Sequence, residues 1–397
     1  MFFRKATPIQ TSEEKIDQLL SRGVDEVLPS KEALKALLMS GKRLRIKLGI
    51  DPTGSRLHLG HTAPLLKLRD FQELGHTIVF IVGDFTAVIG DTSDKDAERP
   101  MLSDAEIKKN MEGWRQQVGR SIDLSRALFK HNSTWLSRLT YREIGVHADA
   151  FSVSDFIARD NIKRRLDQGK RVSLREVLYP LMQGYDSVAV HADVEIGGSD
   201  QRFNLLAGRT LQEKHSQKPQ HVLTLSLLTD AAGKKISKTG GATIYLTDEP
   251  KDMFGKAMAI PDELVRPYCI SMTRLPLHEV DRVVAGHPKE AKLFLATELV
   301  RMYHGAEAAR VARENFDRSF TRGDVPENTD EVRVGEEGLM EALVAQKLIE
   351  SKSEYRRLIS AGAVRIAGTD EKLTERSLPP YGQVLRIGKH RFVKIIK

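Results

Sequence analysis

The fold is decided between residues 45 and 82, which read RIKLGIDPTGSRLHLGHTAPLLKLRDFQELGHTIVFIV. Residues 45–50 are a strand candidate that ends at Asp51-Pro52-Thr53-Gly54, and a helical apolar pattern follows from about Thr62 to Leu74. Thr77–Val82 is then continuously apolar and rich in β-branched residues. Strand, helix and buried strand in succession predict a parallel α/β sheet.

The rest of the chain predicts further domains around this sheet. A helical arm precedes it, a mostly helical stretch occupies about 100–190, and residues 194–200 give another strand-to-loop signal. After Pro250 the pattern is helical to about Phe320, and a polar segment with Gly and Pro follows. We therefore predict domains at 1–248, 249–322 and 338–397, with a linker at 323–337.

Composition limits the class of protein. The 397-residue chain carries a formal net charge of +8, which fits either a polyanionic partner such as nucleic acid or a solvated lysine-rich surface. Its single cysteine, Cys269, excludes an intrachain disulfide and a paired-cysteine metal site. No secretory signal is visible, and the apolar run from Thr77 to Gly90 is too short to span a bilayer. We expect a cytoplasmic enzyme.

Two short basic segments suggest a nucleotide site with two halves. His58-Leu59-Gly60-His61 follows the first strand, where the amides of a starting helix favour phosphate. Lys234-Lys235-Ile236-Ser237-Lys238-Thr239 lies on a glycine-flanked loop, which suits a clamp for a departing pyrophosphate. Alone, the first is more often a helix start with incidental histidines, and the second a solvated turn. Their occurrence together favours the nucleotide site.

These two segments resemble the HIGH and KMSKS signatures of class I aminoacyl-tRNA synthetases. Residues 47–53 (KLGIDPT), 179–186 (YPLMQGYD) and 196–201 (IGGSDQ) are similar to those of bacterial tyrosyl-tRNA synthetases, and the similarity covers nearly the whole chain. The resemblance implies a Rossmann-type catalytic domain with an inserted helical dimerisation segment. It also implies an α-helical anticodon-binding domain and a small α+β C-terminal domain that binds RNA, like one in a ribosomal protein.

The resemblance also assigns roles in binding tyrosine. Tyr179, Gln183 and Asp186 are spaced i, i+4 and i+7, so they share one helix face. Asp186 is expected to accept the substrate phenol, while Tyr179 and Gln183 face its α-amino group. Asp91 is expected to be a second contact to that amine, and Gln201 to lie near the substrate carboxylate.

The nucleotide site is implied in the same way. The expected catalytic residues are His58, His61, Lys235 and Lys238. The expected ATP contacts are Asp51, Thr53, Gly60, Gly198, Asp200, Leu228, Ser237, Lys95 and Arg99. Mg²⁺ is expected to assist, and neither a tightly bound cofactor nor a protein-bound metal is expected.

The sequence departs from the family pattern at two places. Lys47 stands where many members carry a tyrosine that is a second partner of the substrate hydroxyl, which leaves that hydroxyl's contacts open. The loop after Asp91 reads Thr92-Ser93-Asp94-Lys95, where Pro-Ser-Gly-Lys is usual.

The C-terminal segment is expected to bind RNA. It carries basic residues on a predicted helix and on short predicted strands, either as a phosphate-binding face or as a solvated surface. The family resemblance favours RNA binding. The residues concerned are Lys352, Arg356, Arg357, Arg365 and Lys389.

The function implied is that of a tyrosine–tRNA ligase whose substrates are L-tyrosine, ATP and tRNA(Tyr). The resemblance also implies a homodimer. Three other readings remain: a tryptophanyl-tRNA synthetase, an inactive paralogue that binds structured RNA, and a small-molecule adenylyltransferase. Asp186 and the basic tail argue against a tryptophanyl-tRNA synthetase. The intact histidine and lysine segments argue against an inactive paralogue, and the helical domain and tail argue against a small-molecule adenylyltransferase.

Overall fold

The computed structural model describes residues 7–93, 101–227, 243–321, 329–335, 337–346, 348–367, 372–374, 377, 379–388 and 391–396. Within these ranges, no helix is both long and apolar enough to cross a membrane. The chain divides into two compact units, Met1–Tyr303 and His304–Lys397.

The first unit is built on a six-stranded sheet with the order β1-β6-β5-β2-β3-β4. All neighbouring strands are parallel except β1, which pairs antiparallel with β6. The predicted parallel α/β sheet is therefore confirmed. The strands are β1 (Val24–Leu28), β2 (Arg45–Ile50), β3 (Thr77–Val82), β4 (Ala127–His131), β5 (Val194–Gly198) and β6 (His221–Leu225).

Helices cover the sheet and extend beyond it. Two 3₁₀ turns, Leu124–Arg126 and Ser199–Gln201, accompany them. The helices of this unit are α1 (Glu13–Leu19), α2 (Lys31–Met39), α3 (Leu59–Glu73), α4 (Thr86–Ile89), α5 (Asp104–Met111), α6 (Trp114–Val118), α7 (Ser133–Leu136), α8 (Tyr141–Ala148), α9 (Val153–Ile157), α10 (Asp160–Asp167), α11 (Leu174–Val190), α12 (Arg202–Lys214), α13 (Pro250–Met258), α14 (Asp262–Met272), α15 (Leu277–Val284) and α16 (Pro288–His304).

Helix α3 connects β2 to β3 and begins earlier than its apolar pattern indicates. His58 is the N-cap, so the helix starts at Leu59 rather than near Thr62. Its buried face packs on the sheet through side chains that include Leu65, Leu68 and Phe71. The helix ends at Glu73 with Leu74 as its C-cap. Gly75 follows with a φ of 93°, which favours glycine, and a Cβ there would lie 2.5 Å from a backbone oxygen.

The helices after Pro250 are joined to the sheet by a buried guanidinium. Arg22, which is 4% exposed, donates to the carbonyl oxygens of Ile270 (2.9 Å), Leu275 (2.7 Å) and Cys269 (3.0 Å). Residues 249–303 thus belong to the same compact unit as the sheet. The proposed boundary at residue 248 separates sequence patterns rather than compact units, and its functional meaning stays a prediction.

The second unit has its own core and sheet, with the strand order β7-β10-β9-β8. Strand β7 is parallel to β10, and the other pairs are antiparallel. This confirms the small α+β C-terminal region. Its elements are α17 (Ala306–Thr321), β7 (Asp330–Arg333), α18 (Leu339–Ala345), α19 (Lys352–Ser360), β8 (Val364–Ile366), β9 (Val384–Ile387) and β10 (Arg391–Ile396).

Strand β7 lies inside the range 323–337 that was predicted to be a linker, and this part of the prediction is wrong. Three of its four residues are exposed, and only Val332 is buried in the core of the second unit. Because an edge strand with one buried side chain is polar in composition, its sequence is indistinguishable from that of a linker.

Replacing Arg22 with Met should destabilise the first unit by about 2–5 kcal/mol, because three buried or partly buried carbonyl groups lose a charged donor. Thermal unfolding, together with faster hydrogen exchange in α14, measures the effect. The matched change Lys35→Met breaks more exposed ion pairs with Glu13 and Asp17 and should cost much less stability, because water screens exposed pairs. Equal losses in the two variants would contradict the role of Arg22.

Candidate active site

Several of the predicted tyrosine and nucleotide residues that the structure describes lie at the carboxyl ends of the parallel strands. Asp51 follows β2 directly, Asp91 follows the short helix after β3, and Asp200 lies in the 3₁₀ turn after β5. Ligands of open parallel sheets bind at this edge. The topology alone therefore brings together side chains that are far apart in sequence.

Asp186 lies on α11 with its carboxylate held from α7 and the end of β4. Trp135 Nε1 donates to Oδ1 at 2.8 Å, and Asn132 Nδ2 donates to Oδ2 at 3.3 Å. The side chain is 3% exposed. A carboxylate fixed by two donors retains acceptor capacity for a further donor, such as a phenolic hydroxyl.

Asp51 forms a second carboxylate site connected to the first. Tyr179 OH donates to its Oδ2 at 2.9 Å, and Thr86 Oγ1 donates to its Oδ1 at 2.7 Å. Asn132 Nδ2 also donates to Thr86 Oγ1 at 3.0 Å. A continuous hydrogen-bond chain therefore links Asp51 to Asp186.

Burial away from water raises the pKa of both carboxyl groups toward neutral pH. It raises the pKa of Asp51 to about 7, against the hydrogen bonds from Thr86 and Tyr179 and with the added repulsion of Asp91 and Asp186. It raises the pKa of Asp186 to about 6, although the Lys47 ammonium opposes the shift. The pKa of the Tyr179 hydroxyl is raised well above 10 by burial and by the neighbouring carboxylates. A cationic ligand would favour the ionised carboxylates.

Asp91 and Gln201 are brought into direct contact. Gln201 Nε2 donates to Asp91 Oδ2 at 2.7 Å and to Ser93 Oγ at 2.7 Å. Gln201 Oε1 accepts from Asn204 Nδ2 at 2.9 Å, which orients the amide. An anionic group and an amide donor are thus adjacent, as the two ends of an amino acid would require.

Gln183 lies on the same helix as Asp186 but its amide is turned to a buried polar group. Its side-chain Nε2 donates to Glu195 Oε1 at 3.3 Å. The backbone carbonyl oxygen of Gln183 accepts from Lys47 Nζ at 2.9 Å. The expected contact of Gln183 with the substrate amine stays a prediction.

The two histidines of the first motif cap α3 reciprocally. His58 Nδ1 accepts from the Gly60 amide at 3.0 Å, and His61 Nδ1 accepts from the His58 amide at 3.1 Å. Because Nδ1 accepts in both rings, the neutral tautomer of each carries its proton on Nε2. A Cβ on Gly60 would lie 2.8 Å from the His58 ring, so a larger residue there would displace the ring that caps the helix.

The segment after the predicted lysine loop pairs with the histidine motif. Leu59 N donates to Ile244 O at 3.0 Å, and Leu246 N donates to Leu57 O at 2.9 Å. Residue 243 is the first described residue after that loop. The chain that leaves the second predicted half-site therefore lies beside the first.

The remaining predicted nucleotide contacts lie at the same edge where they are described. Gly198 ends β5, and a Cβ there would lie 2.4 Å from Asp200 Oδ1. Thr53 follows Asp51, whose carbonyl oxygen accepts from the Thr53 amide at 2.8 Å. Outside the described residues lie Lys95, Arg99, Leu228, Lys235, Ser237, Lys238 and Lys389.

The predicted RNA-binding residues lie on one helix and one strand of the second unit. Lys352, Arg356 and Arg357 are exposed on α19, and Arg365 is on β8. Lys352 Nζ pairs with Glu341 at 2.9 Å, and Arg365 Nε donates to Gly362 O at 2.9 Å.

Sequence reasoning did not single out Thr86, Asn132, Trp135 or Glu195. Asn132 directly follows β4, at the carboxyl edge of the sheet where ligands bind. Recognising β4 as a fourth parallel strand would have indicated Asn132 as a site residue. Glu195 interrupts the apolar strand Val194–Gly198, and a charge in a buried strand requires a partner. Thr86 and Trp135 carry no comparable signal.

The model of the family "tRNA synthetases class I (W and Y)" matches residues 39–321, and the chain belongs to this family. The tyrosine–tRNA ligase of Thermotoga maritima is 40% identical over 97% of this chain and 98% of that protein. The tyrosine–tRNA ligase of Haemophilus influenzae is 39% identical over 95% of both chains. The resemblance to bacterial tyrosyl-tRNA synthetases predicted from the sequence is confirmed.

Solved structures agree on the fold. A C-terminally truncated mitochondrial tyrosyl-tRNA synthetase from Coccidioides posadasii has a TM-score of 0.62 and 25% sequence identity, and the match covers 76% of this chain and 91% of that one. A tyrosyl-tRNA synthetase from Archaeoglobus fulgidus, crystallised with L-tyrosine, has a TM-score of 0.60 and 22% identity, covering 76% and 99%.

The pKa of about 7 for Asp51 predicts a pH-dependent stability. Because the folded pKa lies above the unfolded value, this group's contribution is fully present below about pH 4 and is lost as the pH rises to about 7. The melting temperature of Asp51→Asn relative to wild type should therefore rise between pH 4 and 7 and then level off.

The variant Asp186→Asn should show the same trend and level off nearer pH 6, because the pKa of Asp186 is about 6. Melting curves at half-unit pH intervals measure both. A difference from wild type that stays constant across the range would contradict the raised pKa values.

Proposed function

We propose that this chain is a tyrosine–tRNA ligase. It activates L-tyrosine with ATP to give tyrosyl-adenylate and pyrophosphate, and then transfers the tyrosyl group to the 3′-terminal adenosine of tRNA(Tyr). The observation that carries this proposal is the hydrogen-bonded group in which Asp186, bonded to Asn132 and Trp135, is connected to Asp51 and Tyr179 at the carboxyl end of β2, the strand that precedes the capped histidine motif.

Asp186 would select the amino acid through its phenol. The carboxylate accepts the hydroxyl proton, and its two protein donors keep it oriented. Phenylalanine would leave these buried polar groups without the bond that the site is built to make, which costs about 1–3 kcal/mol. The substrate ammonium would lie near Asp91 and Tyr179, and its carboxylate near Gln201.

In the activation step the tyrosine carboxylate attacks the α-phosphate of ATP, and pyrophosphate leaves. The nucleophile is ionised at neutral pH, so no general base is needed. The protein aligns the reactants and stabilises the charge that develops on the phosphates. His58 and His61 would donate from Nε2, and Lys235 and Lys238 would contact the pyrophosphate.

Asp200 would hold the ATP ribose hydroxyls, and the glycines beside it would allow close approach of the nucleotide. Mg²⁺ would enter bound to the ATP phosphates, where this ion keeps most of its water ligands. The described part of the chain contains no group of three or more His, Cys, Asp or Glu side chains placed to hold a metal ion.

The tRNA would contact the basic face of the second unit through Lys352, Arg356, Arg357 and Arg365.

A homodimer would form through the helical segment between β4 and β5. Apolar side chains exposed there support this proposal, since such patches commonly become interfaces; they are Tyr141, Val146, Val153, Ile157, Leu166 and Leu174. The cytoplasmic location stays a prediction.

Amino-acid-dependent ATP–pyrophosphate exchange tests the function directly. The chain should catalyse exchange with tyrosine, and kcat/KM should be far lower with phenylalanine and tryptophan. No exchange with tyrosine would overturn the proposal. A preference for tryptophan would instead place the chain with the tryptophan enzymes of its family.

The double variant Arg356→Gln/Arg357→Gln should weaken tRNA charging about tenfold or more and leave ATP–pyrophosphate exchange unchanged, because two proposed phosphate contacts to the tRNA are lost. Charging should also become less sensitive to salt. Lys35→Gln, on helix α2 of the first unit, is the matched control and should change neither reaction. Equal losses of charging and exchange would contradict this division of roles.

A further inference from the structure

A buried ion pair lies under the proposed tyrosine pocket, and no step of the proposed reaction uses it. Lys47 on β2 and Glu195 on β5 stand directly opposite each other in the parallel register. Lys47 Nζ lies 2.8 Å from Glu195 Oε1, and the two side chains are 0% and 1% exposed.

All the donors of Lys47 are used within the protein. An ammonium group has three N–H donors. They point to Glu195 Oε1, to Ser187 Oγ at 2.8 Å and to the carbonyl oxygen of Gln183 at 2.9 Å. Lys47 therefore has no donor to offer a substrate hydroxyl.

Glu195 is equally saturated. Besides Lys47, its carboxylate accepts from Ser187 Oγ at 3.0 Å, from Gln183 Nε2 at 3.3 Å and from Gln220 Nε2 at 2.5 Å. The pair is thus bonded to α11 at residues 183 and 187. These two positions flank Asp186 on the same helix.

Packing alone does not explain two buried charges here. Removing both ions from water is costly, and apolar side chains of similar volume often stabilise a core as well or better. The charges act on Asp186 instead: the Lys47 ammonium lowers the pKa of that carboxyl group, and Glu195 raises it. The two members of the pair therefore oppose each other at the phenol-binding acid.

Other charged groups surround Asp186 and stay constant in the variants below. Asp51, at the end of β2, is connected to it through Thr86 and Asn132. Asp91 acts on Asp51 in turn. Asp84, which follows β3, has its Oδ2 3.3 Å from His131 Nδ1.

We propose that Lys47 and Glu195 are positioning residues of the tyrosine pocket: they do not touch the substrate, but they hold α11 at both sides of Asp186 and set how readily this carboxylate stays ionised to receive the phenol. The inference rests on the proposed function. It extends the proposed function by assigning part of the discrimination between tyrosine and phenylalanine to the buried Lys47–Glu195 pair.

The variant Lys47→Met removes the ammonium and leaves Glu195 beside Asp186. The acid limb of kcat/KM for tyrosine, which reports the free enzyme, should shift upward by about one to two pH units. The loss at pH 6 should be recovered at alkaline pH and should appear in KM more than in kcat. The ratio of kcat/KM for tyrosine over phenylalanine should fall at pH 6.

The variant Glu195→Gln should shift the same limb in the opposite direction. It removes the negative charge while keeping an acceptor for Lys47, so Asp186 ionises at lower pH. Because this variant is nearly isosteric, it also serves if Lys47→Met does not fold. A purely structural role predicts losses for both variants and no movement of the limb.

ATP–pyrophosphate exchange over pH 5–9, with tyrosine and with phenylalanine, makes the measurement. The matched control is Arg274→Met, which breaks the ion pair with Asp70 in the same unit and should lower stability without moving the limb. Limbs that do not move, or that move the same way in both variants, overturn the inference. Absence of tyrosine-dependent exchange in the wild type overturns the proposed function instead.

Discussion

The active edge of this protein depends on the burial of negative charge. Asp51, Asp186 and Glu195 come together because the carboxyl ends of parallel strands and one face of α11 meet at the same place. Desolvation raises the pKa of Asp51 and of Asp186, and each of these carboxyl groups accepts hydrogen bonds from donors such as Tyr179 and Trp135. In the proposed tyrosine site, the substrate ammonium and phenol would add further donors to these carboxylates.

Much of this arrangement was predictable from the sequence. The parallel sheet followed from the strand–helix–strand pattern, since periodicity and β-branched runs are local properties. The spacing of Tyr179, Gln183 and Asp186 placed them on one helix face, and the resemblance named their ligand. The helix was expected from about Thr62, so the role of His58 as its N-cap and the reciprocal cap with His61 were not predicted.

The residues that orient Asp186 were not predictable in the same way. Asn132 and Trp135 are far from it in sequence, and nothing local distinguishes a tryptophan that donates to a carboxylate from one in a core. Lys47 was read as a substitution with an open consequence. Its partner Glu195 emerged only from the strand register, which sequence patterns do not specify for parallel neighbours. Strand β7 was missed because one buried valine is too weak a signal.

Calorimetric titration of L-tyrosine into the protein at pH 6.5, in two buffers of different ionisation enthalpy, tests most directly whether the buried carboxylates form the tyrosine site. At this pH the carboxyl group of Asp51, with a pKa of about 7, is largely protonated in the free protein. Bound tyrosine brings a positive charge that favours the ionised form. Binding with net proton release is the predicted result. Binding with no proton exchange, or with proton uptake, would contradict it.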